Sequence, residues 1–257
     1  MKKKDNPNSY WLFGFHSVKA ALENPHRHCR KIVTANQNTS LLETLKPLLH
    51  KKSLTLEISD SSFFRDHFPE QNIHQKIALL VDPLSELSLE DFLDSTQNNV
   101  QQTLVILDHV TDPQNVGAIL RSAAALGADA VIITSRHSPT QGSILAKVAS
   151  GALDIIPLIT VVNIGRSLEY LKKNGFWCLG FAAEASTSLL NFKRTNKIAL
   201  ILGSEGEGLR RLTKEKCDFL VHLPTKPHMP HLNVANSAAI ALYQTICHSS
   251  HFKTINE

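Results

Sequence analysis

Between Asp112 and Asp129 the chain reads PQNVGAILRSAAALGA, and Arg121 carries the only formal charge in that run. A guanidinium set among Ala, Gly, Leu and Ile needs hydrogen bonds or a counter-charge if it is buried, so Arg121 is the first candidate for anion binding or for stabilising negative charge. Asp112 and Pro113 read as the N-cap and first residue of a helix. That helix starts just beyond the apolar strand Leu104–Asp108, at the carboxyl end where open α/β sheets bind ligands. Gly117, Arg121 and Ala124 fall at i, i+4 and i+7, so the arginine rises from a face of small residues, with Asn115 about one and two-thirds turns ahead of it.

Two further segments carry groups of this kind. IALILGSEGEGL, residues 198–209, is a buried strand running into Gly203, Gly206 and Gly208, with Glu205 among them. These glycines permit a tight turn and let a ligand approach main-chain groups, but the order matches neither a P-loop nor GxGxxG. The third segment runs from Val221 through a loop stiffened by Pro227 and Pro230 to Leu232 and Asn233, which reads as the N-cap of a last helix over 233–247. No formal charge follows before Lys253, so that helix is either central to the fold or covered by a second subunit, and the latter predicts a dimer.

The elements that must position these groups form two textures. Residues 10–82 alternate short strands and helices, with helices at 16–23 and 41–50 and strands near 31–35, 54–58 and 77–81; the expected division is 1–82, a polar linker at 83–102, and 103–257. From Leu104 onward, apolar strands without period-2 alternation are separated by helices. This predicts an α/β domain with a doubly wound, mostly parallel sheet covered on both faces. At 257 residues, 42% hydrophobic and 19% charged, the chain is globular rather than disordered. No window approaches the length of a membrane span, and the four cysteines, Cys29, Cys178, Cys217 and Cys247, show no CxxC, which fits free thiols in the cytoplasm. The histidines lack zinc-site spacing, so no metal is expected.

Taken in order, N-x-G-x-x-x-R at Asn115 to Arg121, G-S-E-G-x-G-L at Gly203 to Leu209, and L-P followed by L-N-V between Leu223 and Val234 resemble the three motifs of the SpoU (TrmH-like) RNA ribose 2'-O-methyltransferases. The N-terminal stretch, with GFHSVKAAL at Gly14 to Leu22 and IHQKIAL at Ile73 to Leu79, is similar to the ribosomal-protein-like substrate-binding domain of bacterial members that modify a guanosine of 23S rRNA. The resemblance implies a deep trefoil knot of SPOUT type, S-adenosylmethionine (SAM) as cofactor, a homodimer, and RNA, most simply rRNA, as substrate. It implies that backbone around Gly203, Leu223 and Leu232 holds SAM and that Asn115, Arg121, Glu205 and Asn233 form the reacting site. In the third motif this chain has Thr225, Pro227, His231 and Ala235 where the family usually has Met, Gly and two Ser, which removes a hydroxyl and an N–H from the loop.

For the chemistry implied, Arg121 is expected to anchor RNA phosphate and stabilise alkoxide charge, with Glu205 positioning it, because a guanidinium stays protonated at physiological pH. The basic cluster Arg27, Arg30 and Lys31 is expected to contact RNA phosphates. Two rivals remain from the residues: an rRNA-binding or assembly module that keeps the fold and has lost efficient catalysis, and a ribose methyltransferase acting on tRNA. A nucleotide switch is disfavoured by the missing P-loop.

Overall fold

The structure, a computed structural model, describes residues 8–35, 39–67, 76–136, 138–139, 141–193, 195–226 and 228–247. The chain forms two compact units, one drawn from Met1–Ser85 and Thr140–Ile155, the other from Glu86–Pro139 and Ile156–Glu257.

In the first unit, β1 (Tyr10–Phe13), β2 (Cys29–Thr34), β3 (Leu56–Ile58) and β4 (Ile77–Val81) build a sheet of order β1-β4-β2-β3, in which only β2 and β3 run parallel. Helices α1 (Phe15–Glu23), α2 (Thr39–Lys51) and α3 (Ser61–His67) accompany it. Helix α1 buries Val18, Ala21 and Leu22, and Phe13, Val33, Phe64 and Ala78 form an aromatic-rich core cluster. Two expectations need correction here. Strand β1 and helix α3 were not read from the sequence, being short segments with little periodicity. Arg27 is not a surface cation: its side chain is 0% exposed and forks onto Asp154, with Nε donating to Oδ1 at 2.7 Å and Nη2 to Oδ2 at 3.1 Å. Its Nη1 donates to the Tyr10 hydroxyl at 3.2 Å and the Asp82 carbonyl at 2.9 Å.

Asp82, at the end of β4, gathers a second set of donors. Its carboxylate accepts from Arg30 Nε at 2.5 Å and Nη2 at 2.9 Å, from Ser9 Oγ at 2.7 Å and from His28 Nδ1 at 2.6 Å. Hydrogen bonds from Arg30, then from Ser9 and His28, outweigh burial and hold this carboxyl well below the ordinary aspartate range. A depressed folded-state value gives stability that is present above the unfolded value, about 3.9, and is lost as pH falls below it. Melts of the protein at stepwise lower pH should therefore show a loss of stability that Asp82→Asn flattens; an identical acid slope in that variant would refute the assignment.

The second unit contains α4 (Leu89–Ser95), β5 (Gln102–Asp108), α5 (Pro113–Leu126) and β6 (Ala130–Thr134). Helix α6 (Ser143–Ala149) follows in sequence but belongs to the first unit, where it packs on β1. The second unit resumes with β7 (Leu158–Val161), α7 (Ile164–Lys173), β8 (Trp177–Phe181), β9 (Thr187–Ser188), β10 (Lys197–Gly203), α8 (Arg211–Lys216), β11 (Phe219–His222) and α9 (Val234–Leu242), the last ending in a π-helical turn over Tyr243–Cys247. All seven strands run parallel in the order β7-β6-β5-β10-β8-β11-β9. Every residue of β5 is buried, which accounts for its unbroken apolar run.

The segment expected to be a linker is part of this unit. Ser88 caps α4 by accepting from Asp91 N at 3.0 Å, and Leu89, Phe92 and Leu93 enter the same core as Leu104, Ile106 and Ile132. Within 83–102, the acidic residues of α4 form the outer face of an amphipathic helix. No helix among the described residues is long and apolar enough to cross a membrane.

Candidate active site

The carboxyl ends of β5 and β10 lie side by side, with Gly203 opposite Asp108 in the parallel register. From Gly203 the chain folds back at once. Ser204 and Gly208 form an isolated antiparallel bridge, and Gly208 N donates to the Ser204 carbonyl at 3.0 Å. Gly206 and Gly208 hold φ of 89° and 69°, the left-handed region that glycine enters without steric cost. A Cβ on Gly203 would sit 2.1 Å from Gly208 C and 2.3 Å from Leu209 N, so no side chain fits there.

This turn presents Glu205 to two helix starts. Asp112 caps α5 by accepting from Gln114 N at 2.9 Å, as its sequence indicates, and Asn115 follows in the first turn. Asn233 caps α9 through its Oδ1, which accepts from Ala235 N at 2.9 Å and Asn236 N at 3.4 Å. Its Nδ2 is left to point outward, donating to Asn115 Oδ1 at 2.9 Å and also to Glu205 Oε1. Asn115 Nδ2 donates to the same Glu205 oxygen at 3.1 Å, and Val234 N reaches it at 3.4 Å. Residues 90 and 118 positions from Asn115 are thereby joined in one hydrogen-bonded cluster.

The cluster borders a cavity of about 580 Å³. Gly203, Glu205, Leu223, Leu232 and Asn233 all line it, so the three residues expected to hold a cofactor stand together. Thr225 and His231, two of the departures from the third motif, also line it. The Thr225 hydroxyl donates to the Pro230 carbonyl at 3.1 Å and closes the loop on itself, while Ala235 is buried in the first turn of α9. Pro227 lies outside the described residues.

Arg121 differs from expectation. It is exposed on α5 and makes no hydrogen bond or ion pair with the described residues. Glu205 does not hold it; that carboxylate is occupied by the two asparagines. Of the expected RNA contacts, Arg27 is buried on Asp154 and Arg30 is held by Asp82, while Lys31 stays about half exposed and pairs with Glu57 at 2.6 Å on the surface. The first unit nonetheless has a basic concavity of about 810 Å³, where His26 and Lys51 are exposed and Lys52 Nζ donates to the Asn24 and Arg27 carbonyls at 2.6 and 2.9 Å.

Sequence reasoning missed Asp108. Its carboxylate, 0% exposed at the end of β5, accepts from Arg210 N at 3.2 Å and Nε at 2.7 Å and lies 2.6 Å from Nη2. A lone acid closing the apolar run Leu104–Leu107 was the available signal. Burial pushes the Cys178 and Cys217 thiols up to about 12, which removes both as nucleophiles at neutral pH. Among the described residues no group of three His, Cys, Asp or Glu side chains is placed to hold a metal.

Comparison with known proteins matches residues 102–243 to the SpoU rRNA Methylase family. The chain is 36% identical over 237 residues to the 23S rRNA (guanosine-2'-O-)-methyltransferase RlmB of Pasteurella multocida, covering 91% of this chain and 96% of that protein. It is 35% identical over 239 residues to RlmB of Escherichia coli K12, covering 93% and 98%. Among solved structures, the SpoU methyltransferase AviRb of Streptomyces viridochromogenes in complex with AdoMet superposes with a TM-score of 0.76 at 18% identity, over 93% of this chain and 90% of that one. An AdoMet-bound rRNA methyltransferase of Sinorhizobium meliloti gives 0.76 at 20% identity, over 94% and 88%. With its three motifs joined in one hydrogen-bonded cluster and its likeness to these relatives running nearly end to end, the chain belongs to the SpoU rRNA methylase family.

Proposed function

We propose that the protein transfers a methyl group from SAM to the ribose 2'-hydroxyl of a guanosine in 23S rRNA. The observation that carries this reading is the hydrogen-bonded cluster of Asn115, Glu205 and Asn233, one from each motif, of which Glu205 and Asn233 line the cavity. The residues present fit the cofactor: about 580 Å³ lies within the roughly 300–1,000 Å³ of small-molecule pockets, and the glycine turn exposes main-chain donors and acceptors along its wall. Backbone around Gly203, Leu223 and Leu232 holds it. Bound SAM supplies an electrophilic methyl on a sulfonium, so that the nucleophilic oxygen must approach in line and lose its proton.

The chain's own residues orient and stabilise. Glu205 Oε1 takes its donors from Asn115, Asn233 and Val234, while Oε2 has no partner among the described residues and is the acceptor available to an incoming hydroxyl. Arg121, exposed and unpaired within the described chain, supplies a guanidinium fork to an RNA phosphate and to the oxygen as charge develops on it. Arg121→Lys keeps the charge and loses the fork; turnover should fall about a hundredfold with SAM affinity nearly unchanged. Retention of most turnover would show that charge alone suffices.

Further parts of the reading rest on family membership together with local observations. The second unit is knotted near the carboxyl ends of its strands. Two copies pair through α9, whose Ile240 and neighbouring Tyr243 are 47% and 59% exposed on an uncharged surface. The first unit binds rRNA through the basic concavity at which Lys51 is exposed, and the protein acts in the cytoplasm. The test is incubation of undermodified 23S rRNA with the protein and labelled SAM, followed by mapping of the modified ribose. Label on a guanosine 2'-oxygen is the expected result; no incorporation into rRNA would defeat the reading.

A further inference from the structure

We propose that the buried Asp108 carboxylate and the Arg210 guanidinium form a latch that fixes the Glu205 turn, making both positioning residues for the reacting site; their catalytic relevance rests on the methyl-transfer reading, the latch itself on geometry alone. The turn leaves β10 at Gly203, which the sheet register sets opposite Asp108, and ends at Arg210, whose backbone N–H and guanidinium both meet the Asp108 carboxylate. Both ends of the loop are therefore tied to one residue, the first through the main-chain ladder and the second through a charged side chain. Glu205 stands between them.

The hydrogen bonds at the rim are poorly suited to that task. Glu205 and Asn233 are exposed, so water competes for each of their contacts. Here the Arg210 side chain is 44% exposed, but Asp108 is fully buried with Arg210 as its only described counter-charge, so opening the latch would strand a carboxylate away from water. The same residue governs the other side of the site. His109 follows it with φ 59°, a conformation uncommon for a non-glycine residue, and the chain then reaches the Asp112 cap and Asn115. A shift of Asp108 thus moves both the donor and the acceptor of the Asn115–Glu205 hydrogen bond.

Amide hydrogen exchange on the full-length protein tests this without cofactor or RNA, using Arg210→Lys, Arg210→Met and the double variant Asp108→Asn/Arg210→Met. The double variant carries no stranded charge and keeps the fold readable. Expected are exchange faster by about tenfold across residues 204–209 in Arg210→Met and the double variant, with β5 and β10 still protected, and partial recovery in Arg210→Lys. In the loaded enzyme kcat should fall about a hundredfold while the KM for rRNA holds, as for a catalytic group displaced by about 1 Å. Unchanged loop exchange in the folded double variant would overturn the latch, as would faster exchange spread equally over β5 and β10. Wild-type protein that methylates no rRNA, with the loop still loosened in the variants, would sink the enzyme reading and leave the latch standing.

Discussion

Gly203→Ala is expected to abolish SAM binding and methyl transfer together. The added methyl would lie 2.1 Å from Gly208 C and 2.2 Å from its carbonyl oxygen, both main-chain atoms that no rotamer change can move aside. Relief requires the turn to swing away from β10, yet Ser204 and Gly208 bridge it and Arg210 ties its end to Asp108. Overpacking of this kind costs about 1–3 kcal/mol, so the fold should survive while the cavity wall does not. Displacing Glu205 by about 1 Å is enough to lose about a hundredfold in rate, before any loss of cofactor affinity is counted. Calorimetric titration with SAM beside a thermal melt separates the two effects. Native affinity in a folded variant would mean that the turn does not shape the cavity.

The second large effect concerns stability. Arg27→Met should cost the first unit about 3–5 kcal/mol, the range for removing one partner of a buried pair. Asp154 has a side chain only 2% exposed and would keep just its bond from Asn24 Nδ2, at 3.1 Å, in place of the guanidinium fork. The Tyr10 hydroxyl and the Asp82 carbonyl would lose a donor as well. Arg27→Met/Asp154→Asn leaves no unpaired charge and should recover most of the loss. With Trp177 replaced by Phe, Trp11 is the one remaining tryptophan and reports urea unfolding of the first unit alone. A single-variant loss below about 1 kcal/mol would assign Arg27 to the surface class of ion pairs.

That result also bears on what the sequence could reveal. The three motifs were legible because each is a local pattern: a capped helix start, a glycine turn after a buried strand, an asparagine opening an apolar helix. Strands β5, β6, β8 and β10 were legible for the same reason, since burial on both faces removes alternation. What failed was every property decided by a distant partner. Arg27 looks like a member of a basic surface cluster, and the acid that buries it is 127 positions away. Arg30 is likewise engaged by a distant acid, Asp82, whereas Lys31 stays on the surface beside Glu57. Glu205 was matched to the arginine of the first motif, whereas the structure gives it to the asparagines, which lie nearer the helix N-termini that face the turn. The amphipathic piece LEDFL was legible too, but its exposed Asp and Glu within a polar segment put it in a linker rather than in the core that Leu89, Phe92 and Leu93 enter.

The membership of residues 140–155 in the first unit has a consequence for the order of assembly. During synthesis the amino-terminal sheet emerges long before Asp154, and Arg27 has no carboxylate to receive it until more than half of the chain is made. The amino-terminal unit is thus finished by a segment that arrives after β5, α5 and β6. A nascent chain halted before Asp154 would have its core cluster but leave the Arg27 guanidinium without a carboxylate, and protease digestion of such stalled chains should find the first unit looser than in the finished protein.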